Sequence, residues 1–197
     1  ASINVRARDA SINLIKQVGL TGDLDGAWFS DLTAASGTAI YYKFTVENTG
    51  DYDFSSFQVT DPTLQGQFGD PISCTWYKAN PTPPPDYVTT TTLPTASSGD
   101  PIAYCVIGPL SPTPPAGSVT NTASVTGTYA TGIANASDSA VRNIYDPPTA
   151  TKSFVPSTIL SGGTSTMTII VTNPATNPGN LTGVSISDNY TGTLVNN

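Results

Sequence analysis

AIYYKFTVENTGDYDFSSFQVTD, residues 39–61, decides the fold. Tyr42, Phe44 and Val46 alternate with Lys43, Thr45 and Glu47, the period of a strand with one buried face. NTGDYDFSS then supplies turn residues, and FQVTD (57–61) alternates again. The plan recurs in TMTIIVTNPATNPGNLTGVSISD, residues 166–188. Setting Asn173 on Asn48 aligns Val171 with Val46, Ile169 with Phe44 and Met167 with Tyr42, while VSISD (184–188) takes the place of FQVTD. Upstream of each lies a strand-like segment with a lysine, INLIKQV with Lys16 and TATKSFV with Lys152. Each is followed by a glycine turn, SGT (36–38) or SGGT (161–164). The offsets are 136 residues for the lysines, 125 for the asparagines and 127 for Asp61 and Asp188, so the chain carries a tandem repeat of about 130 residues.

Composition agrees with strands throughout. Charged residues are 11% of the 197, and seventeen prolines and seventeen glycines interrupt the chain every few residues. Glu47 is the only glutamate; thirteen aspartates supply the remaining acid, and aspartate favours turns over helix interiors. The expected fold class is all-β. Strands are expected near 11–18, 38–48, 54–61, 72–78, 101–107, 118–128 and 136–145. In SVTNTASVTG, Val119, Asn121, Ala123 and Val125 share one face. Seven short strands separated by turns predict an immunoglobulin-like β-sandwich over residues 10–145. A Pro-rich linker, DPPT (146–149), then leads into residues 150–197, the first part of a second, incomplete β-sandwich. Two consecutive prolines predict an extended linker that holds successive domains roughly in line. NPTPPPD (80–86) and SPTPPAG (111–117) read as stiff loops between strands.

Residues 1–9 form a leader: ASIN occurs at 1–4 and again at 10–13, and Ile3, Val5 and Ala7 share one face of a spare strand. Three strands do not make a sandwich, so the second unit needs cover from outside residues 150–197. Two readings stay open. Either the natural chain continues and the leader is the last strand of a preceding repeat, or the leader of one subunit enters the sheet of the next.

Net charge is −7, and four lysines and three arginines are scattered, so no basic stripe exists for nucleic acid. No apolar run approaches membrane-spanning length. Sequons at Asn135, Asn180 and Asn189 are no more than a Ser/Thr-rich chain produces by chance. The two cysteines, Cys74 in ISCTWY and Cys105 in IAYCVI, lie in strand-like segments. A metal pair or a reactive thiol finds no histidine or third cysteine to support it. A structural disulfide is expected instead, closing a loop of about 31 residues, contributing roughly 3–4 kcal/mol, and implying an oxidising, extracytoplasmic setting.

LIKQV…GTAIYYKFTVENTGDYDFSSFQVTDP…C…C…AGSVTNTASVTG resembles the conserved-repeat, immunoglobulin-like domains strung in tandem along large bacterial and archaeal cell-surface proteins. TKSFVPSTILSGGTSTMTIIVTNP resembles the opening of another such domain. The resemblance implies an extracellular, structural or adhesive role without enzymatic activity. The Pro-rich loops and the DGAWFSDL insertion depart from the pattern.

Candidate chemistry is sparse. Without histidine, Ser–His–Asp, Cys–His and histidine-containing zinc sites are excluded. Asp51 with Asp53, and Asp23 with Asp25, sit in turn-like sequence where solvated aspartate is ordinary. Asp23, Asp25 and Asp31 resemble a fragment of a calcium loop, although no glutamate closes it. No other cofactor is indicated. Trp28 and Phe29 read either as a core or inter-domain anchor or as an exposed glycan platform. Lys16, Asp61 and Asn121 carry the sharpest expectation. Surface-fibre domains can join a lysine amine to an asparagine side-chain amide with a carboxyl group assisting. That chemistry needs a buried lysine kept neutral by desolvation; the competing reading is a lysine that snorkels to solvent. The expected function is an extracellular structural protein, a subunit or repeat section of a microbial surface filament or adhesin stalk, whose partners are copies of itself or neighbouring repeats. The alternative is a glycan- or protein-binding module of an adhesin.

Overall fold

A computed structural model describes residues 7–78 and 88–189. The strands are β1 (Ile12–Gly19), β2 (Trp28–Phe29), β3 (Asp31–Ala35), β4 (Tyr41–Asn48), β5 (Ser56–Thr60), β6 (Tyr77–Lys78), β7 (Val88–Thr89), β8 (Ile102–Ile107), β9 (Gly117–Tyr129), β10 (Gly132–Tyr145), β11 (Thr149–Val155) and β12 (Thr166–Thr172). One helical turn, α1 (Gln65–Phe68), follows β5.

The protein is an all-β immunoglobulin-like sandwich. One sheet runs β2-β1-β4-β8-β6-β7 and the other β3-β10-β9-β5. Inward residues alternate as the strand period requires: Ile12, Leu14 and Val18 from β1, Tyr42, Phe44 and Val46 from β4, Val59 from β5, and Ala123 and Val125 from β9 are all buried. The core is tight where β9 crosses the mouth of the sandwich. A Cβ on Gly127 would lie 2.8 Å from both Ile12 Cδ1 and Phe54 Cδ1, so any side chain there must push these neighbours aside.

Three features differ from expectation. Ile72 and Cys74 lie in turns and irregular backbone, and only Tyr77–Lys78 of the 72–78 segment pairs as a strand. A disulfide to Cys105 on β8 ties that segment to the sheet, with Cα atoms 6.2 Å apart. The DGAWFSDL insertion, absent from the expected strands, supplies β2 and the start of β3. Its Trp28 and Phe29 pair with Gly19 and Val18 of β1, the chain crosses at Ser30, and β3 runs parallel to β10 with Asp31 opposite Val141. Finally, residues 184–188 form no strand, although VSISD alternates.

β11 and β12 make a separate two-stranded sheet. Thr149, placed in the linker by its sequence, is the first residue of β11. Lys152 stands opposite Ile169 and Ala150 opposite Val171, the register in which Lys16 faces Phe44 and Leu14 faces Val46. Asn177 grips the linker: it accepts the Asp146 backbone N–H at 2.7 Å and donates to the Asp146 carbonyl at 3.0 Å. Of the leader, Ala7 is described and exposed, while Ile3 and Val5 lie outside the described residues, as does the 80–86 loop.

Candidate functional site: a buried lysine, carboxylate and amide

Lys16 occupies the inward phase of β1 between Leu14 and Val18. Turning it outward would turn its three apolar neighbours outward as well, because side chains alternate strictly along a strand. It is 0% exposed, so it does not snorkel. Asp61 follows β5 at the entrance to the turn that leads into α1. Its Oδ1 accepts the N–H groups of Thr63 and Leu64 at 3.0 and 3.2 Å, which fixes the carboxylate in place. Its Oδ2 faces Lys16 Nζ at 2.5 Å, and Asp61 is itself 0% exposed.

Asn121 is brought to the same place by topology. The Lys16 backbone N–H donates to Asp138 Oδ2 on β10 at 2.7 Å, while the far end of the same side chain reaches Asp61 beyond the end of β5. In the sheet, β9 lies between β10 and β5. The lysine therefore spans the inner face of β9, a reach of one or two strand spacings of about 4.8 Å each. Asp138 pairs with Ala123, and Asn121, opposite Ala140, lies two residues away on the same face of β9. Asn121 is 0% exposed, and neither its Oδ1 nor its Nδ2 has a hydrogen-bond partner. An unpaired buried polar group costs about 1–3 kcal/mol, and such groups are rare enough to need a reason.

Electrostatics favour a reactive amine. Burial pushes the Lys16 ammonium down from 10.5 to about 8. The hydrogen bond and charge of Asp61, and then the charge of Asp138, pull it back up, while Arg142 adds to the downward push. Tyr42 and Phe44 wall the amine, with ring centres 5.0 and 5.7 Å from Nζ.

Asp138 was not singled out by sequence reasoning. Its signal is the inward run Ala134, Ala136, Asp138, Ala140 on β10, one acid among small residues that leave room for a long side chain.

The parts suffice for an acyl transfer. With its proton passed to Asp61, the Lys16 amine would be a nucleophile for the Asn121 carbonyl carbon. A bond from Nζ to Cγ would form and the Cγ–Nδ2 bond break; the proton held by Asp61 would go to the leaving nitrogen, which departs as ammonia, and Asp61 would take up the second proton that Nζ sheds as it becomes an amide nitrogen. No oxidant or metal is required.

The other candidate groups are not assembled. Asp23 Oδ1 accepts the Asp25 backbone N–H at 3.1 Å, a local turn, whereas Asp31 accepts from Asn143 Nδ2 at 2.7 Å on β10. Among the described residues no group of three acidic, cysteine or histidine side chains is placed to hold a metal. β3 draws Asp31 across to the second sheet, so the three aspartates are not brought together. Trp28 is neither a core residue nor a free platform. Its indole Nε1 donates to the carbonyls of Asp23 and Leu24, and its ring lies against Gly19, which leaves no room for a Cβ.

No known protein family matches the chain, and no curated protein does. Among solved structures, AggA, the major subunit of aggregative adherence fimbriae type I from Escherichia coli, overlaps 75% of this chain and 100% of its own at 8% identity and a TM-score of 0.28.

Proposed function

We propose that this chain is an extracellular structural protein, a subunit or repeat section of a microbial surface filament or adhesin stalk, and that a Lys16–Asn121 amide bond locks its first domain. The observation that supports this reading is the fully buried Lys16–Asp61 pair together with a fully buried Asn121 amide, on the inward phase of β9, that has no partner. Internal ties of this kind suit a protein whose task is to provide length, stiffness and resistance to proteolysis. The disulfide supports an oxidising location.

Intact-mass measurement tests the bond. The oxidised chain should weigh one ammonia less than its sequence predicts once the disulfide's two hydrogens are counted. Lys16→Ala and Asn121→Ala should each abolish that deficit, and a wild-type chain at full mass would sink the reading. Self-assembly through the leader, with Ile3, Val5 and Ala7 entering a neighbouring subunit, is tested by deleting residues 1–9. Filaments should disappear while the first domain stays folded; intact filaments would rule out the exchange. The rival, a glycan-binding module built on Trp28 and Phe29, has less support because Trp28 is held by two backbone carbonyls. Glycan-array binding lost on Trp28→Ala would favour it.

A further inference from the structure

The lysine–carboxylate pair of the first domain has a counterpart in the second unit. Lys152 Nζ lies 2.7 and 2.8 Å from the two carboxylate oxygens of Asp188. Three independent features make it the same pair. Lys152 holds the strand register of Lys16, opposite Ile169 where Lys16 has Phe44. Asn173 caps the following turn by donating to the Gly179 carbonyl at 3.0 Å, as Asn48 donates to the Tyr52 carbonyl at 2.9 Å. Asp188 closes VSISD as Asp61 closes FQVTD.

One difference separates the two sites. The first pair is sealed under β9 and β10, whereas Lys152 and Asp188 are 37% and 32% exposed. The apolar residues that share their unit, Met167, Ile170, Val184 and Ile186 among them, are also exposed, and among the described residues no strand covers them.

We infer that Lys152 and Asp188 belong to a second cross-linking site whose third member is an asparagine on a β-strand with the side-chain pattern of β9. The inference rests on the proposed chemistry of the first site. The identity of the occupant comes from the first domain, where the face bearing the lysine is covered by the β9–β10 hairpin and the amide stands between small and branched residues, Val119, Ala123 and Val125. A strand of that pattern does two things at once. It removes the ion pair from water, which frees the amine by desolvation, and it brings the carboxamide to it. A Lys152 Nζ–Cγ bond then forms, the Cγ–Nδ2 bond breaks, and the nitrogen leaves as ammonia with the proton relayed through Asp188. The reaction waits for the strand, which supplies the carboxamide.

A synthetic peptide spanning residues 117–145 is a probe of the required pattern, and the full chain is the target. Incubation should yield an adduct of chain plus peptide less one ammonia, with fragmentation placing the new bond between Lys152 and the peptide's Asn121. Lys152→Arg in the chain, or Asn121→Ala in the peptide, should remove the adduct. Asp188→Asn should slow its formation roughly 10²–10⁴-fold, the range of a lost general base. No adduct, an adduct on another lysine, or one that survives Lys152→Arg overturns the inference. So does a Lys152-linked adduct with a peptide of residues 1–9 in place of the hairpin, which would make the leader the occupant. The mass of the chain alone reports the first site separately, so failure of the second leaves the first to stand or fall by its own measurement.

Discussion

Lys16 is a charged residue with no exposed surface, and its burial makes a pH prediction at the scale of one residue. Its folded value is near 8 and its unfolded value 10.5. Between those values the unfolded chain binds the extra proton, so stability rises with pH across that window; below about 8 both states are protonated and the burial penalty is at full size. The difference amounts to roughly 3 kcal/mol. It is measurable where the amine stays free. Urea unfolding of Asn121→Ala should give a higher midpoint at pH 10 than at pH 7, and the Lys16→Met, Asn121→Ala double variant should lose that gain. A flat response in Asn121→Ala would show that burial does not strain the ammonium. The three members of this site were legible in the sequence because strand phase alone turns each of them inward. Asp138 was not, because its role depends on β10 lying against β1 across the open side of the sandwich, a contact between residues 122 positions apart. Asp23, Asp25 and Asp31 show the converse: they are close in sequence, but a change of sheet at Ser30 carries Asp31 to β10.

At the scale of elements, strongly alternating strands could be read directly. β1, β4, β8, β9 and β10 fall within a few residues of their expected positions. β2 and β3 escaped because a two-residue strand has no period to detect, and β3 is only five residues long. The 72–78 segment misled because its cysteine serves a covalent tie and not a ladder of backbone hydrogen bonds. Two predictions belong here. Gly127→Val should cost about 1–3 kcal/mol by overpacking against Ile12 and Phe54, read as a lower urea midpoint with an unchanged slope. A thiol assay on denatured, unreduced protein should find no free cysteine, and mild reduction should lower stability by about 3 kcal/mol in a chain-entropy picture. Two free thiols per chain would refute the pairing.

At the scale of the whole molecule, a finished sandwich is joined to a two-stranded sheet by the Asp146–Pro148 segment, and Asn177 is the clasp. Asn177→Ala removes bonds to the Asp146 N–H and carbonyl and to Asn173 Oδ1. Backbone nitrogen relaxation should then report β11 and β12 tumbling more independently of the first domain; unchanged relaxation would mean that the clasp is idle. A further consequence follows from the order of the ties along the chain. Cys74 and Cys105 both lie inside the span from Lys16 to Asn121. Tension applied through the two ends of a chain closed at Lys16–Asn121 passes from β1 straight to β9, so the slack stored between those residues is never drawn out and the disulfide within it is never pulled. Stretched singly, the cross-linked domain should release the same contour length with or without a reductant. An Asn121→Ala molecule should lengthen when reduced, by about 3.5 Å for each residue of the opened loop.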